Sequence, residues 1–514
     1  MSNRAAAAAW AYHNGTKHSS RSVRADTHQL DWENYPFPFK VYPQLPPIEL
    51  PRELLPLELP ALEAVTYVQV ALPAPRTPEI GELATLLHYA GGVTRKRGYS
   101  GGEIYFRASA CTGALYEIEL YIVCRELPGL AAGVYHYNPG DAALRCLRTG
   151  DHRGVLVAAT GAEPGVAHAP AVLVSSGTYW RNAWKYRART YRHFGWDNGT
   201  LHANLLAAAA ALGLPGHVVM GFADGTVNRL LGLDAQREVA LTLVPLGQQE
   251  EPTPETPETP APLAYDVLPY SKQEVDYPAM RAVHAASELA SGEEARTWRE
   301  AAPQALAPAP GGPITLLEPL AERDRPADPL DEVILRRGST RRFARQPIAL
   351  AQLSGVLEGA RRGLPADFLQ PPGATLNTLY LIVHDVQGLA PGAYVLHREP
   401  WALECLRAGQ FRQQAGYLGL EQALPADASV ALYWMADLNS ILERFGNRGY
   451  RAVQFEAGAI GGRLYLSAYA QRLGATGLTF YDDDVTEFFS PYAQGMSAIF
   501  HMAFGQPARR TAPS

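Results

Sequence analysis

A run of arginines in the second half of the chain has the composition of an anion-binding segment. Residues 336–343 are Arg-Arg-Gly-Ser-Thr-Arg-Arg-Phe, and residues 331–335 before them have the pattern of a helix. Arginine forks bind phosphate oxygens through paired hydrogen bonds, and the hydroxyl of Ser339 or Thr340 adds a donor near a helix end. The segment predicts a phosphate site. A solvated basic surface is the alternative that composition leaves open.

A second candidate segment, Ala110–Tyr116, precedes an apolar run in the first half of the chain. Glycine and alanine permit close backbone approach, which a flat ring bound against the backbone requires. The matching segment, 371–376, begins with two prolines and so lacks two N–H donors. A ring-binding role is therefore predicted for the first copy. An ordinary turn into a strand is the alternative there and the better interpretation of the second copy.

These segments belong to a duplication. Residues 185–192 (KYRARTYR) resemble 444–451 (RFGNRGYR), and residues 111–123 resemble 371–383, with offsets of 259 and 260 positions. A constant register over that distance indicates two copies of one domain. The chain is therefore predicted to be an intrachain pseudo-dimer with a site at the junction, and its further oligomerisation stays open. The first copy has no arginine cluster at the corresponding place, 65–76.

Composition narrows the class of protein. The 514 residues suffice for two cores, and 47% of them are hydrophobic. A net charge of −6 without a long basic run argues against a nucleic-acid partner. The four cysteines show no CxxC spacing, so no metal site or disulfide framework is predicted, and a reducing, cytoplasmic compartment is expected. No apolar run is long enough to span a membrane.

Proline-rich stretches divide the chain into 1–248, 249–329 and 330–514. These are predicted to be a first lobe with an N-terminal proline-rich arm, a linker, and a second lobe. The linker opens with Pro, Glu and Thr repeats that are too polar to pack, and one helix is predicted in it over 277–300. The arm, Tyr35–Pro60, cannot form a regular helix and is expected to run extended and embrace the partner lobe.

The same order of elements recurs in each lobe. It predicts antiparallel strands covered by helices, an α+β architecture. No GxGxxG motif follows a strand, so a Rossmann fold has no support. The predicted helices are 80–90, 202–212, 349–361 and 457–473, and the predicted strands are 119–124, 133–137, 171–175, 238–246, 379–384, 392–396, 429–434 and 497–504.

Short segments along the chain together resemble one family. They are 12–18 (YHNGTKH), 40–43 (KVYP), 48–51 (IELP), 113–116 (GALY), 185–186 (KY), 221–222 (GF) and 228–232 (NRLLG). With them the chain resembles the nitroreductase-like flavoenzymes, in particular the azoline dehydrogenases associated with thiazole- and oxazole-containing peptides. The resemblance covers nearly the whole chain apart from the linker. It implies a tandem nitroreductase-like fold that binds one FMN between the lobes and transfers a hydride through flavin N5.

The resemblance also implies which residues contact the cofactor. Second-lobe residues fall where the family binds the phosphate and ribityl chain, and a first-lobe segment falls where the other subunit lies along the flavin. A loop near N5 departs from the family because Thr479 and Phe480 replace its glycines. A disordered tail is the alternative for the last two residues. The implied contacts are Arg337, Ser339, Arg341, Cys111, Thr112, Gly113, Ala114, Leu115, Gly477, Leu478, Thr479, Arg509 and Arg510.

Lys185 and Tyr186 look catalytic by the same resemblance, whereas the second lobe has arginine and phenylalanine there. Oxidation of an azoline to an azole removes a proton from one carbon and a hydride from its neighbour, so a base is required. A lysine of ordinary pKa, about 10.4, is protonated at neutral pH, and burial beside Arg187 or Arg189 would lower that pKa. Tyr186 would orient the ring or relay the proton. Surface and core roles are the alternative for the pair.

The sequence is compatible with three functions. An azoline dehydrogenase acting on a peptide or a small molecule is preferred. A reductase of nitroaromatics or quinones that uses FMN and NAD(P)H is the second. A redox-silent scaffold that binds a modified peptide or a cyclodehydratase partner is the third. A yellow protein would exclude the scaffold, and rapid bleaching by NADPH would favour the reductase.

Overall fold

The computed structural model describes residues 3–67, 74–99, 102–214, 216–256, 260–301, 310–371 and 373–508. We use "first lobe" for the chain up to 248, "second lobe" for the chain from 330, and "connecting segment" for the part between them. The first-lobe helices are α1 (Ala7–Gly15), α2 (Ser20–Arg24), α3 (Ala61–Thr66), α4 (Ile80–Gly91), α5 (Arg153–Thr160), α6 (Pro164–His168), α7 (Tyr179–Tyr186), α8 (Thr190–Ala211) and α9 (Asp224–Leu231). Its strands are β1 (Ile48–Glu49), β2 (Val93–Tyr99), β3 (Gly102–Arg107), β4 (Ile118–Cys124), β5 (Gly133–Asn138), β6 (Ala143–Thr149), β7 (Ala171–Thr178) and β8 (Glu238–Leu246).

The remaining chain repeats this order. The connecting segment contains α10 (Pro278–Ala286), α11 (Gly292–Glu300) and β9 (Ile314–Leu316). The second-lobe helices are α12 (Leu330–Arg336), α13 (Leu350–Arg361), α14 (Arg412–Leu418), α15 (Ala423–Asp427), α16 (Leu438–Phe445), α17 (Arg448–Ala470) and α18 (Asp482–Phe489). Its strands are β10 (Ile348–Ala349), β11 (Thr378–Val383), β12 (Val386–Gln387), β13 (Gly392–His397), β14 (Ala402–Ala408), β15 (Val430–Ala436), β16 (Gly474–Leu478) and β17 (Ser497–Gly505).

Each lobe is built on one antiparallel sheet. Read from opposite ends, six strands have the same order in both sheets, and the second sheet has β16 as an additional edge strand. Among the described residues, the first sheet has the order β1-β6-β5-β4-β7-β8 and the second β16-β17-β15-β11-β13-β14-β9. In the first sheet Tyr121 lies opposite His136 and Val174. At the equivalent place Leu381 lies opposite Tyr394 and Leu432. The predicted duplicated α+β fold is confirmed.

The two lobes meet along the long helices α8 and α17. A Cβ added to Gly199 would lie 2.4 Å from the backbone nitrogen of Ala459, and one added to Gly458 would lie 2.3 Å from the carbonyl oxygen of Trp196. Only glycine permits backbones to approach this closely. The hydrophobic core is continuous across this contact and contains residues of both lobes.

The starts predicted from sequence for these two helices lie too far along the chain. α8 begins at Thr190 rather than 202, and α17 begins at Arg448 rather than 457. The missed turns contain buried charged residues, among them Arg192 and Arg448, whose partners come from elsewhere in the fold. Such residues interrupt the apolar pattern from which a buried helix is predicted.

The single helix predicted for 277–300 is wrong, because α10 and α11 are separate. Between them Leu289 N donates to the Asp224 carboxylate over 2.9 Å, and Leu289 O accepts from Asp224 N. Ser291 then begins α11 by accepting a hydrogen bond from Glu294 N. A serine N-cap is a common way to start a helix.

The proline-rich arm contains no α-helix, as predicted. Lys40 is buried, pairs with Glu238 at 2.5 Å and donates to the Tyr121 hydroxyl at 2.9 Å. Further along, Leu57 O accepts from Leu330 N over 3.0 Å. The arm is therefore fixed to the first sheet and reaches the start of the second lobe. Among the described helices we find none whose length and hydropathy would suit a membrane span.

Candidate functional site

The arginine segment, residues 336–343, leaves α12 and runs beside the second sheet. Thr340 N donates to Ala475 O in β16 over 2.9 Å, and Phe343 forms an antiparallel bridge with Pro507. These backbone contacts fix the segment against the sheet and so fix the positions of its side chains.

Arg337 extends from this segment to the first lobe. Its Nη2 donates to Ala108 O over 2.8 Å and lies 3.4 Å from Arg107 O. Its guanidinium carbon is 5.9 Å from the ring centroid of Tyr465. The Nε atom is buried and has no hydrogen-bond partner among the described residues. A predicted phosphate ligand of one lobe thus contacts the backbone immediately before the predicted ring-binding segment of the other.

Ser339 and Arg341 are exposed beside Arg337. The Ser339 hydroxyl lies 3.4 Å from the Tyr465 hydroxyl. Arg341 makes no ion pair with any carboxylate in the described part of the chain. Both side chains therefore have donors available for an anionic ligand.

The segment Cys111–Leu115 makes a tight turn ahead of β4. Gly113 has a φ of 69°, in the left-handed region, and its backbone is exposed. A Cβ added there would lie 2.9 Å from both a ring carbon and the hydroxyl of Tyr186. Tyr186 therefore packs directly on the glycine. The turn presents bare backbone next to the tyrosine, which is the close approach predicted from its small residues.

A buried carboxyl pair, Glu117 and Asp197, anchors this turn from inside. Thr112 N and its hydroxyl each donate to Asp197 at 2.9 Å. The Cys111 sulfur lies 3.3 Å from Asp197 Oδ2 and 3.4 Å from Glu117 Oε2.

Burial and then the charge of Glu117 raise the pKa of Asp197 well above its usual range, and burial raises the pKa of the Cys111 thiol. The pair therefore favours a shared proton. By type, the thiol and the two carboxylates would also suit a metal ion, since one atom of each lies within 4.8 Å of the others.

Lys185 and Tyr186 end α7 at the same place. Lys185 Nζ lies 5.2 Å from the Tyr186 ring centroid, and the edge of that ring contacts His193 with centroids 4.7 Å apart. Burial raises the pKa of Tyr186, so its hydroxyl stays protonated at neutral pH. Partial burial and then the charge of Arg341 lower the pKa of Lys185 from its usual value.

Burial is the main cause of that lowered pKa, as predicted, but the neighbouring cation differs from the prediction, which named Arg187 or Arg189. Arg187 pairs with Asp26, and Arg189 pairs with Asp482 at 3.1 Å. The cation that acts on Lys185 instead comes from the second lobe. The sequence did not show this, because nothing local indicates that residue 341 lies beside residue 185.

The predicted loop of the second lobe lies at the end of β16. Gly477 N donates to the hydroxyl of Tyr465, the same hydroxyl that approaches Ser339. Leu478 and Thr479 follow and are half-buried. Phe480 is buried, with its ring centroid 6.2 Å from that of Trp196 in the first lobe. The Tyr465 hydroxyl thus lies between Ser339 of the arginine segment and Gly477 of the loop.

Some predicted features lie outside the described residues. Arg509 and Arg510 are among them, although Ala508 N just before them donates to Arg342 O over 3.0 Å. Residues 68–73, within the stretch where the first lobe lacks an arginine cluster, are also outside the described residues.

The other predicted site residues converge at one place, which we name the first junction. It combines Cys111–Leu115, Lys185 and Tyr186 of the first lobe with Arg337, Ser339, Arg341 and Gly477–Thr479 of the second lobe.

Comparison with known proteins identifies the fold on which this junction is built. The model of the nitroreductase family matches residues 80–248 and again residues 334–503, more than half of the chain. The chain belongs to the nitroreductase family. It is an oxidoreductase with two nitroreductase domains in tandem, as the resemblance implied.

Relatives match parts of this nitroreductase. MJ1384 of Methanocaldococcus jannaschii, named as a nitroreductase, is 27% identical over 202 residues, 38% of this chain and 97% of its own length. The trifolitoxin-processing protein TfxB of Rhizobium leguminosarum bv. trifolii is 29% identical over 35% of this chain. The microcin B17-processing protein McbC of Escherichia coli is 31% identical over 26% of it. The matches to these two processing proteins span half of each relative's length.

A solved structure extends the likeness to the whole chain. A protein from Anabaena variabilis, described as a nitroreductase, superposes with a TM-score of 0.77 over 98% of this chain and 99% of its own. The sequences are 24% identical, so the similarity shows a shared fold. That fold includes both lobes and the connection between them.

Sequence reasoning missed a buried ion cluster beside the first junction. Asp482, at the start of α18, pairs with Arg192 at 2.6 Å and with Arg189, and it also accepts from His18 N at 2.8 Å. Asp482 lies within the first turn of α18. The repeated Arg-x-x-Arg spacing at 189 and 448 was the available signal.

Proposed function

We propose that this nitroreductase is an FMN-dependent dehydrogenase of azoline rings in peptides. The observation that supports it is the convergence of the arginine segment of one lobe with Lys185 and Tyr186 of the other. Phosphate donors, exposed backbone for a flat ring and a proton acceptor then occur together at the first junction.

The residues present fit a flavin mononucleotide. Arg337 has a buried Nε without a partner in the described chain, and Arg341 is a cation without a described counter-ion. Either guanidinium can bind a phosphate dianion bidentately, with Ser339 adding a hydroxyl. Gly113 is exposed and has no side chain, so a flat ring can approach its backbone beside Tyr186. These residues would hold the phosphate at the second lobe and the ring against the first.

Bound FMN would supply the hydride acceptor. The remaining requirement of azoline oxidation is removal of a proton from the carbon next to the hydride donor, and we assign that proton to the Lys185 amine. Partial burial and Arg341 lower its pKa, which increases the neutral fraction able to accept a proton. Tyr186 keeps its hydroxyl proton and orients the substrate ring over Gly113. One proton and one hydride leave the ring, which balances its conversion to the azole.

TfxB is named for processing trifolitoxin, and McbC is named for processing microcin B17. Similarity to these two processing proteins supports a peptide substrate. The class of enzyme that would supply an azoline peptide is a cyclodehydratase, and we propose it as the partner of this protein.

A second candidate is a reductase that uses NAD(P)H to reduce nitroaromatics or quinones. Similarity to MJ1384 over nearly the full length of that protein favours it. The two candidates differ in the electron donor. A reductase oxidises the nicotinamide, and a dehydrogenase oxidises the substrate ring.

One experiment separates them. Purified yellow protein is mixed without oxygen either with a synthetic peptide containing one thiazoline or with NADPH, and absorbance near the flavin bands is followed. We expect bleaching by the thiazoline peptide, with a product lighter by two hydrogen atoms. Bleaching by NADPH with an unchanged peptide would favour the reductase, and a colourless protein that binds no FMN would contradict both.

A further inference from the structure

The first lobe contains a β-hairpin that the second lobe lacks. β2 and β3 pair from Val93 opposite Arg107 to Tyr99 opposite Gly102. The equivalent stretch between α13 and β11 forms no strand in its described residues and is ten residues shorter, 362–377 against 92–117. The hairpin leads directly into the backbone that accepts from Arg337. An insertion at this point is next to the first junction.

The hairpin is basic on its exposed strand. Arg95, Lys96 and Arg97 are consecutive and exposed, and none of them makes an ion pair with a described carboxylate. Arg95 lies 4.5 Å above the ring centroid of Phe106, and Lys96 lies 5.1 Å from that of Tyr105. Three positive charges concentrated on a chain of net charge −6 favour an acidic ligand.

The hairpin also has an unpaired edge. Within the described residues, β2 pairs with β3 alone, so the N–H and C=O groups on its other side have no strand beside them. An exposed edge of this kind is where an extended peptide adds to a sheet through main-chain hydrogen bonds.

Aromatic side chains extend from the hairpin onto the proline-rich arm. Tyr105 of β3 packs against Phe39, with ring centroids 4.9 Å apart, and Phe39 packs against Phe37 at 5.7 Å. Phe37 is 43% exposed. Large apolar groups exposed in a row are typical of an interaction surface.

The row reaches the residue before Lys185. The rings of Tyr35 and Trp32 lie 4.9 and 5.2 Å from that of Trp184. Trp184 is buried, whereas Trp32 is 68% exposed. A ligand that begins at the basic hairpin and follows the exposed rings along the arm would therefore arrive at Lys185.

We propose that this surface, which we name the docking track, binds an acidic, extended segment of the peptide substrate. The segment adds as a strand to β2. Its carboxylates pair with Arg95 and Arg97, which share one face of β2, while Lys96 adds positive charge on the other face. The flanking residues pass over the aromatic side chains to Lys185. The choice of a peptide as the ligand rests on the proposed function. Binding of that peptide does not depend on the oxidation reaction.

The direct test is binding of a fluorescein-labelled peptide of alternating Glu and Thr, about twelve residues long. We expect fluorescence anisotropy to show binding that weakens with salt. Changing Arg95, Lys96 and Arg97 together to Gln should weaken binding about ten-fold or more. The matched control changes Arg323, Arg361 and Arg362 to Gln, which removes the same charge from exposed positions outside the first lobe and should leave binding unchanged.

Two further measurements distinguish strand addition from charge alone. Amides of β2 should exchange with solvent more slowly when the peptide is bound. A Lys-Thr peptide and a labelled single-stranded oligonucleotide should both bind at least about ten-fold more weakly than the Glu-Thr peptide. Equal loss of binding in the control variant, tighter binding of the oligonucleotide, or unchanged exchange in β2 would overturn the proposal.

Turnover separates this proposal from the function on which it builds. A small free thiazoline does not need the docking track, so the hairpin variant should oxidise it as well as the wild type does. A thiazoline peptide preceded by Glu-Thr repeats should show a raised KM and an unchanged kcat in that variant. If the wild type oxidises neither substrate, the proposed function is wrong. The proposal of a docking track is then decided by the binding measurements alone.

Discussion

The two lobes offer two pseudo-equivalent junctions, and only the first has the groups for chemistry. Lys185 and Tyr186 of the first junction correspond to Arg444 and Phe445 of the second. An amine and a hydroxyl are thus replaced by a permanently charged guanidinium and an apolar ring. The difference concerns side chains on matching helices, α7 and α16, within one repeated fold.

The carboxyl pair shows the same contrast. Where the first junction has Glu117 beside Asp197, the second has Asn377, whose amide donates to Glu456 at 2.7 Å. An amide and a carboxylate need no shared proton, but two carboxylates do. Burial raises the pKa of Glu456 to about 7. The two junctions therefore differ in the number of carboxyl groups at this position, two in the first and one in the second.

The scaffold around the junctions is repeated faithfully. Asp482 pairs with Arg189, just before α8, and with Arg192 of α8, and Asp224 pairs with Arg448 and Arg451 of α17 at 2.6 and 2.7 Å. On α1, His13 lies 3.3 Å from the Tyr450 hydroxyl. Its equivalent on α10, His284, lies 3.1 Å from the Tyr191 hydroxyl. The repeat thus includes α1 of the first lobe and α10 of the connecting segment.

The connecting segment covers the second junction. Trp298 of α11 donates from its indole to Phe445 O over 3.0 Å, and its ring lies 5.4 Å from that of Phe445 and 6.2 Å from that of Phe368. Phe445 is the counterpart of Tyr186. The comparison shows that the connecting segment packs on the second junction, and the proposed function assigns the ligand to the first.

The largest effect should follow from Lys185. Changing it to Met removes the proposed proton acceptor and should lower azoline turnover about a hundred-fold or more at unchanged flavin content. The matched control, Arg444→Met, makes the same kind of change at the second junction and should have little effect. Steady-state rates with the thiazoline peptide measure both. Equal losses of turnover in the two variants would contradict the claim that the two junctions differ in function.

The arginines should have the next largest effect. Arg341→Ala removes one charged phosphate contact, worth about 1.5–3 kcal/mol, so FMN affinity should fall about ten- to hundred-fold. Arg342 is its exposed neighbour, and Arg342→Ala should change affinity little. Quenching of flavin fluorescence on titration of apoprotein gives both dissociation constants. Similar values for the two variants would contradict the proposed phosphate site.

The smallest effect should come from Glu117→Asn, which introduces the residue of the second junction. In the folded protein the pKa of Asp197 is raised, so stability is lost as pH increases from the unfolded pKa through the raised one. An amide beside Asp197 reduces that loss.

The melting temperature of the variant relative to wild type should therefore increase between acidic and mildly alkaline pH, by about 1–2 °C. Thermal unfolding at several pH values measures this difference. A difference that does not change with pH would mean that the carboxyl pair shares no proton.

Much of the fold could be predicted from sequence, because the register of the duplication and the apolar strand runs are local patterns. The strands predicted around 119–124 and 379–384 were found as β4 and β11. The long helices were predicted only in part, since their first turns contain charged residues buried by distant partners. Helices α10 and α11 were merged for a similar reason, as the break depends on bonds between Leu289 and Asp224.

The site shows the same division. Residue types and resemblance named the groups at the first junction, but their pairwise relations needed the folded chain. That Arg341 rather than Arg187 acts on Lys185, that Tyr186 packs on Gly113, and that Glu117 meets Asp197 are long-range contacts. Sequence patterns record which side chains are present in each lobe. They do not record which lobe supplies the partner.

The number of flavins bound per chain tests the central claim most directly. FMN released by denaturing a known amount of protein is measured by its absorbance, for the wild type and for a variant in which both Arg337 and Arg341 are changed to Ala. The account predicts one FMN per chain in the wild type and almost none in the variant. Two FMN per chain, or one that persists without both arginines, would contradict it.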